Sequence, residues 1–266
     1  MSVVQLVRHG EVAEVILSRP EKHNAVIPET LTELIRIGKA LRRDRDLRAV
    51  IIRGDGPSFC SGLDIPSFMR EPRHILRHFL RPLWRSTNNF QEVAWVWRRL
   101  PVPVIAVLHG RCYGAGMQLA LAADFRLATP DCELSVMEAR WGLIPDMSGT
   151  VSLRELMPMD QAKWLAMTAE VFDARRGQTL GLITATHADP LAAAHAMAAT
   201  LCERSPDSVA ATKFLLQRTW TASEFKAFLL ERCYQLPLLF GGNQRIAVKR
   251  VQGDAKTPFL PRRVQR

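Results

Sequence analysis

The sequence predicts an α/β protein with a largely parallel sheet, followed by a helical C-terminal region. Short apolar runs typical of buried strands alternate with segments of helical periodicity over the first two-thirds of the 266 residues. The last third shows helical periodicity alone. The composition, 47% hydrophobic and 23% charged, is that of a globular protein long enough to bury a sizeable core. We expect a core over residues 1–189 and a helical region over residues 190–266.

The individual elements follow from apolar spacing and from glycine and proline breaks. Two β-rich runs flank His9-Gly10, which predicts a hairpin. Gly54 and Pro57 end a fully apolar strand, and Asp189-Pro190 marks the boundary before the helical region. The predicted strands are 3–8, 12–17, 49–52, 102–108 and 124–128. The predicted helices are 28–43, 72–81, 83–100, 117–123, 159–168, 190–204, 207–218, 222–239 and 243–251.

Positive charge is concentrated in two segments. There are 36 Lys and Arg residues against 26 Asp and Glu, a formal net charge of +10. Residues 70–99 carry seven arginines against two glutamates, and residues 249–266 carry six basic residues against one aspartate. The remaining charges balance. A localised basic patch favours an anionic partner, either a nucleic acid or a phosphorylated small molecule.

Several classes of protein are disfavoured by what the sequence lacks. The five cysteines are odd in number and include no CxxC pair, which argues against a disulfide framework and against a zinc knuckle. No apolar run approaches the ~18 residues of a membrane span. Neither end resembles a secretory, transit or peroxisomal signal. We therefore expect a cytoplasmic protein without a membrane segment.

Three other chemistries find weak support in the motifs. His74 and His78 would share a helix face, but the Glu of HExxH and a third ligand are missing, so no metal site is predicted. Cys60-Ser61-Gly62 has no GxSxG elbow and no nearby His, and it fits a tight turn better than a nucleophile. The mid-chain glycines lack the GxGxxG spacing of a dinucleotide site.

Two glycine turns each follow a predicted buried strand: residues 59–64 (FCSGLD) and residues 113–116 (YGAG). A helix that begins after glycines presents backbone N–H groups without intrahelical partners, which hold a phosphate or a developing oxyanion. Two such donors that converged on one oxygen would form an oxyanion hole. On spacing alone, two ordinary turns between a strand and a helix are an equal alternative.

Two acids, Glu138 and Asp146, lie in the otherwise apolar stretch 134–151. A carboxyl group in apolar surroundings tends to have a raised pKa and then serves as a general base or acid near neutral pH. Taken singly, each acid also has a structural explanation. Glu138 would form an ion pair with Arg140, and Asp146 would cap the following helix.

Five segments, in order along most of the chain, resemble motifs of the crotonase superfamily, the enoyl-CoA hydratase/isomerase family. Each motif is short, so the resemblance depends on the whole set at compatible spacing. The segments are RPEKHNA at 19–25, AVIIRG leading to FCSGLD at 49–64, PVIAV with the following glycines at 103–116, AADFRLA at 122–128, and EARWG with the following proline and Gly-Thr at 138–150.

The resemblance implies a spiral of ββα turns and a C-terminal region that mediates homotrimers, which often pair as hexamers. It implies an acyl-CoA thioester as substrate, with coenzyme A as part of that substrate and no separate cofactor. By position, the backbone N–H groups of Leu63 and Ala115 would hold the thioester oxygen, on which an enolate develops charge. The implied substrate-binding and CoA-binding residues are Lys22, Ala25, Ser61, Gly62, Asp64, Gly114, Arg77, Arg81 and Phe259.

The acids indicate the reaction. Family hydratases carry two glutamates around the attacking water. The second matches Glu138, but the first falls at Gln118, whose amide orients water and does not exchange a proton near neutral pH. Asp146 matches the aspartate of dienoyl-CoA isomerases. We therefore expect double-bond isomerisation of an enoyl- or dienoyl-CoA by Glu138 and Asp146, with Gln118 as a further catalytic residue.

Two alternatives to isomerisation stay open. One is an enoyl-CoA hydratase that uses Glu138 as its main acid and base. The other is a catalytically weak RNA- or protein-binding module. The resemblance, however, gives both basic segments a place near coenzyme A, whose phosphates bind basic side chains. Because the tail 249–266 has no aromatic residue apart from Phe259 and no RNA-binding signature appears, we expect no nucleic-acid partner.

Overall fold

The computed structural model describes residues 2–70, 76, 78–80 and 86–264. The strands are Val4–His9 (β1), Val12–Leu17 (β2), Ala49–Gly54 (β3), Val104–Leu108 (β4), Arg111–Tyr113 (β5), Phe125–Ala128 (β6), Glu133–Ser135 (β7), Phe172–Asp173 (β8) and Ala185–Thr186 (β9). The α-helices are Pro28–Arg43 (α1), Ile65–Met69 (α2), Asn89–Arg98 (α3), Ala115–Leu121 (α4), Gly149–Leu156 (α5), Met159–Thr168 (α6), Ala174–Thr179 (α7), Pro190–Cys202 (α8), Pro206–Thr219 (α9), Glu224–Leu239 (α10) and Gly242–Val251 (α11). Short 3-10 helices occupy Pro20–Lys22 and Glu138–Trp141.

The described strands form a large and a small sheet. The large sheet has the order β1-β2-β3-β4-β6-β9, and the small one has the order β5-β7-β8. The β1–β2 pair is the predicted antiparallel hairpin, and the other pairs of the large sheet are parallel. Because parallel strands end at the same edge, the chain that follows β3 and the chain that follows β4 are brought to one side of the sheet. The predicted α/β class is confirmed.

Both faces of the large sheet are covered at its central strands, which explains why β4 (VIAVL) is apolar throughout and why the first four residues of β3 are apolar. Val50 and Ile52 of β3 belong to the main core, which also contains the buried faces of α1 and α3. Ala49 and Ile51 point to the opposite face and pack in a second core with Ala194 of α8. The helical region therefore begins by packing directly on the sheet. The proposed division at residue 189 stays a prediction.

Several helices have the predicted bounds, among them α1 and α6. The predicted helix over 83–100 was wrong at its start, since α3 begins at Asn89. Asn88 is its N-cap: its side chain accepts a hydrogen bond from Gln91 N, and the Gln91 side chain bonds back to Asn88 N. The helix over 149–156 and the short strands of the small sheet were missed. The predicted helix over 72–81 lies mostly outside the described residues.

The last helices leave large apolar side chains uncovered. No residue of α10 is buried, and Phe225 and Phe240 are 80% and 74% exposed. Such a surface is typical of a protein–protein interface, but the homotrimer or hexamer stays a prediction. Within the described part of the chain, no helix is both long and apolar enough to cross a membrane.

Candidate active site

The two glycine turns lie side by side beyond the carboxyl ends of β3 and β4. Backbone hydrogen bonds join them: Cys60 N donates to Arg111 O, and Tyr113 N donates to Cys60 O, each at 2.9 Å. The two backbones approach so closely that a Cβ atom on Gly114 would lie 3.9 Å from Gly62 Cα. The structure thus brings together two turns that are far apart in the sequence.

Each turn contains backbone N–H groups without an acceptor among the described residues, and the two predicted donors are among them. Among the residues that the structure describes, neither Leu63 N nor Ala115 N donates a hydrogen bond. Ala115 is the first residue of α4, where an N–H group has no intrahelical partner. The residue before each donor is a glycine with positive φ, +106° at Gly62 and +49° at Gly114, which other residues rarely adopt. The chain conformation that leaves these donors available therefore depends on glycine.

The loop 19–26 supports the first turn through backbone contacts. Ser61 N donates to His23 O at 2.9 Å, and Val26 N donates to Gly62 O at 2.8 Å. The hydroxyl of Ser61 also contacts Lys22 O at 3.4 Å. The structure therefore places Lys22, Ser61 and Gly62 in one cluster, with the Lys22 side chain exposed. Their role in binding substrate stays a prediction.

Asp64 and Ala25 join the same cluster through Arg19. The Arg19 guanidinium donates to Ala25 O at 2.6 Å and pairs with Asp64 Oδ2 at 3.4 Å. The other oxygen of Asp64 caps α2 by accepting a hydrogen bond from Ser67 N at 3.2 Å. Burial would raise the pKa of Asp64, but these hydrogen bonds and the Arg19 charge lower it below its usual value. The Asp64 carboxylate is thus ionised and occupied in holding the turn.

Asn24 has a structural role that the sequence analysis missed. Its side chain is buried and donates to Asp55 O at 2.8 Å and to Ser58 O at 2.7 Å. Its Oδ1 accepts a hydrogen bond from Arg19 N at 2.8 Å. The first two bonds tie the loop 19–26 to the chain that leads into the first turn, and the third fixes the loop internally. The available signal in the sequence was the asparagine near the end of the RPEKHNA motif.

Glu138 lies against the second glycine turn and begins the acid-bearing turn, residues 138–149. Its Oε1 would be 3.5 Å from a Cβ atom on Gly114, and it accepts a hydrogen bond from Gln118 Nε2 at 2.6 Å. Its Oε2 is buried and has no hydrogen-bond partner among the described residues. The partner of Glu138 is therefore Gln118, which is 1% exposed on α4, and the expected pairing with Arg140 is not observed among these contacts.

The second acid, Asp146, lies near enough to Glu138 for its charge to act on it. Burial raises the pKa of Glu138, and the Asp146 charge raises it further, against the opposing hydrogen bond from Gln118. Burial also raises the pKa of Asp146. The N-cap position of α5 belongs to Ser148, so Asp146 does not cap that helix. Two neighbouring carboxyl groups with raised pKa values are suited to accept and deliver protons near neutral pH.

A thiol nucleophile is disfavoured by the surroundings of Cys60. The side chain is fully buried, and burial raises the pKa of Cys60 to about 12. The reactive thiolate is therefore not populated near neutral pH. Among the described residues, no group of three or more His, Cys, Asp or Glu side chains is arranged to hold a metal ion.

Three predicted binding residues remain: Arg77, Arg81 and Phe259. Arg77 and Arg81 lie outside the described residues. Phe259 contacts the guanidinium groups of Arg48 and Arg250, which are 5.5 and 4.7 Å from its ring centre. Arg48 directly precedes β3, so Phe259 lies near the start of that strand and not its end. Arg262 of the basic tail is buried and donates to Asp44 O at 2.6 Å. Part of the tail therefore fastens the C-terminus, and a role of Phe259 in binding CoA stays a prediction.

Comparisons with known proteins agree with this architecture. The family model described as enoyl-CoA hydratase/isomerase matches residues 8–235. The mitochondrial Δ(3,5)-Δ(2,4)-dienoyl-CoA isomerase of Dictyostelium discoideum is 26% identical over 212 residues, 77% of this chain and 72% of that relative. The enoyl-CoA isomerase/hydratase fer4 of Mycosarcoma maydis is 28% identical over 262 residues, 93% of this chain and 92% of fer4.

A solved structure from Thermobifida fusca YX, described as that of an enoyl-CoA hydratase in complex with acetoacetyl-CoA, superimposes with a TM-score of 0.80. It is 32% identical and covers 90% of this chain and 95% of its own. The family match, the shared fold and the paired glycine turns confirm the crotonase resemblance. The chain belongs to the enoyl-CoA hydratase/isomerase family and is an enzyme of that type.

Proposed function

We propose that this enzyme moves a double bond within an enoyl- or dienoyl-CoA thioester. The observation that carries the proposal is the pair of half-buried acids, Glu138 and Asp146, next to the two glycine turns. Double-bond migration removes one proton from carbon and returns one to another carbon, which two carboxyl groups share between them. Relatives described as dienoyl-CoA isomerases support this choice of reaction.

In the proposed reaction, the N–H groups of Leu63 and Ala115 donate to the thioester oxygen. Glu138 removes a proton through its unpartnered Oε2, and the electron pair of the broken C–H bond moves into a conjugated enolate, whose charge rests on the thioester oxygen. Asp146 then delivers a proton to the far end of the enolate, where a new C–H bond forms. The substrate gains and loses no atoms, and a proton exchange between the two acids restores the starting state.

Hydration is less well supported by the contacts of Gln118. Hydratase chemistry uses a second acid beside the water, and the amide at this position does not exchange a proton. Its Oε1 already accepts two backbone hydrogen bonds, from Met147 N and Gly149 N. We therefore propose that the carbonyl end of Gln118 does not orient an attacking water.

The apolar surface of the acid-bearing turn favours an acyl substrate. Trp141, Leu143 and Ile144 expose 63%, 53% and 74% of their surface between the two acids in the sequence. Burial of such side chains against an acyl chain contributes roughly 25 cal/mol per Å² of apolar surface. We propose that the acyl group, and not a polar ligand, lies along this turn.

The test is an assay of the purified enzyme with 3,5-dienoyl-CoA, which gains a conjugated 2,4-diene absorbance on isomerisation, and with 2-enoyl-CoA, which loses its absorbance on hydration. Asp146→Asn should lower the rate of isomerisation by at least 10²-fold, the usual contribution of general acid–base catalysis. Asp160→Asn, an exposed residue on α6, serves as the matched control and should leave the rate unchanged. Fast hydration that is insensitive to Asp146→Asn, without any double-bond migration, would contradict the proposal.

A further inference from the structure

The amide group of Gln118 is buried and hydrogen-bonded at both ends. Its side chain is 1% exposed. Oε1 accepts hydrogen bonds from Met147 N at 2.8 Å and from Gly149 N at 3.1 Å, and Nε2 donates to Glu138 Oε1 at 2.6 Å. Three hydrogen bonds in a dry site fix the orientation of the amide, because a reversed amide would place N–H groups against N–H groups.

These contacts connect both acids to the second glycine turn. Met147 directly follows Asp146 in the chain, so one end of the amide holds the backbone that carries Asp146, while the other end holds the carboxyl group of Glu138. Gln118 itself is anchored by its backbone, since its N–H donates to Gly114 O at 2.9 Å. One side chain therefore sets the distance between the acids and their position relative to Ala115 N.

The hydrogen bond to Glu138 also distinguishes its two oxygens. Oε1 receives a donor, and an unprotonated oxygen is the better acceptor, so a proton on Glu138 is favoured on Oε2. Oε2 is the buried oxygen for which the described residues offer no hydrogen-bond partner. An amide performs both tasks at once, because it accepts two N–H groups at one end and donates at the other. A carboxylate in its place would accept but not donate.

We infer that Gln118 is a positioning residue, which aligns Glu138 and Asp146 and restricts proton exchange to Oε2 of Glu138, and is not a group that binds the reacting water. The inference rests on the proposed function only in that the kinetic tests below measure isomerisation. The contacts of Gln118 do not depend on which reaction the enzyme catalyses. In this inference Gln118 acts through Glu138 and Asp146, and not as the catalytic residue that the sequence led us to expect. It also explains why a glutamine suits this position in a site that already contains two acids.

The sharpest variant is Gln118→Glu. A second carboxyl group 2.6 Å from Glu138 Oε1 would have to share a proton with it, since two charges at that distance do not coexist. The acid limb of the kcat/KM profile should move up by at least about one pH unit. Among the described residues, Asp146 is the ionisable side chain whose charge acts on Glu138. Asp146 is still present in Gln118→Glu, so a shift of the acid limb is attributable to the new carboxyl group. Gln5→Glu, at an exposed glutamine whose Nε2 donates to Ser18 Oγ, should leave the profile unmoved.

A second variant, Gln118→Met, keeps the length of the side chain and removes all three hydrogen bonds. Misplacement of the acids should lower kcat by about 100-fold, with KM changed less than about threefold, since the substrate contacts remain. Circular dichroism checks that the variant is folded. Titration with acetoacetyl-CoA measures the concentration of binding-competent enzyme, by which kcat is then corrected. An unchanged kcat for correctly folded Gln118→Met would overturn the inference.

Thermal unfolding provides a readout that does not depend on the reaction. The shared proton gives the folded Gln118→Glu variant a pKa above that of an unfolded glutamate, so its stability is present at low pH and lost as pH rises through that folded pKa. The melting temperature of Gln118→Glu should therefore fall relative to wild type between about pH 4 and pH 8.

The outcomes separate the two proposals. A difference in melting temperature that does not vary with pH, or an unmoved acid limb, overturns the inference about Gln118. If the wild-type enzyme fails to isomerise any dienoyl-CoA but the pH-dependent loss of stability is observed, the proposed function fails while the positioning role of Gln118 stands.

Discussion

The two glycine turns present equivalent backbone donors but are supported in different ways. The second turn, residues 113–116, leads into α4, all seven residues of which are buried. The first turn, residues 59–64, leads into the five-residue α2, of which only Phe68 is buried. Its support comes from the polar loop 19–26, through backbone hydrogen bonds and the Arg19–Asp64 ion pair.

This difference shows that the N–H group of Ala115 is held in place by apolar packing, whereas the N–H group of Leu63 is held in place by polar contacts. Packed support leaves no space: a Cβ atom on Gly116 would lie 2.6 Å from Cys60 Cβ and 2.7 Å from Cys60 O. Polar support is more adaptable, because loops are more mobile than packed helices. We therefore expect substitutions in the second turn to be the more damaging.

The largest expected effect is that of Gly116→Ala. The added methyl group overlaps the backbone of the first turn, so α4 and residue 60 must move apart at a cost of about 2–3 kcal/mol in the free energy of unfolding. Urea unfolding measures this loss. Gly10→Ala is the control, because its φ is also positive but a Cβ atom there meets nothing within 4 Å, and about 1 kcal/mol is expected. An equal loss in the two variants would contradict the packing comparison.

An intermediate effect is expected when Gly114 and Gly62, the positive-φ glycines that precede the two donors, are each replaced by alanine in separate variants. A Cβ atom on Gly114 would lie 3.5 Å from Glu138 Oε1 and 3.9 Å from Gly62 Cα. Among the described residues, one on Gly62 would contact only the Tyr113 backbone, 3.4 Å from its O. The kcat of the proposed isomerisation should therefore fall by about 100-fold in Gly114→Ala and by about tenfold in Gly62→Ala. Steady-state kinetics at saturating substrate test the order, and a greater loss in Gly62→Ala would reverse the comparison.

The smallest expected effect concerns stability at Glu138, the acid that faces the second turn. Its raised folded pKa means that the wild type loses stability as pH rises from the unfolded pKa through the folded pKa. Glu138→Gln carries no such charge. It should melt close to wild type near pH 4 and roughly 2–4 °C above it at pH 8, the shift that about 1 kcal/mol produces. Scanning calorimetry across this range measures it, and a constant difference would show that burial of the charge is not the cause.

Much of the fold could be predicted because it depends on local patterns. The bounds of α1 follow from a strong apolar period and a proline at its first position. The start of α3 was wrong because a capping box of Asn88 and Gln91 outweighs the helical pattern before it. The two-residue strands β8 and β9 could not be predicted, since they are defined by long-range pairing and have no pattern of their own.

The sequence by itself determined the fold class, the two glycine turns and the presence of two acids in an apolar stretch, because these depend on residue types and their order. Only the tertiary structure decided which atoms meet. It joined the turns through strand pairing and gave Gln118 hydrogen bonds to residues about 20 to 31 positions away. Within the described part of the chain, it also gave Glu138 one hydrogen-bonded oxygen and one without a partner. Hydrogen bonds are directional and short-ranged, so their partners are fixed when distant segments pack together, which no local pattern contains.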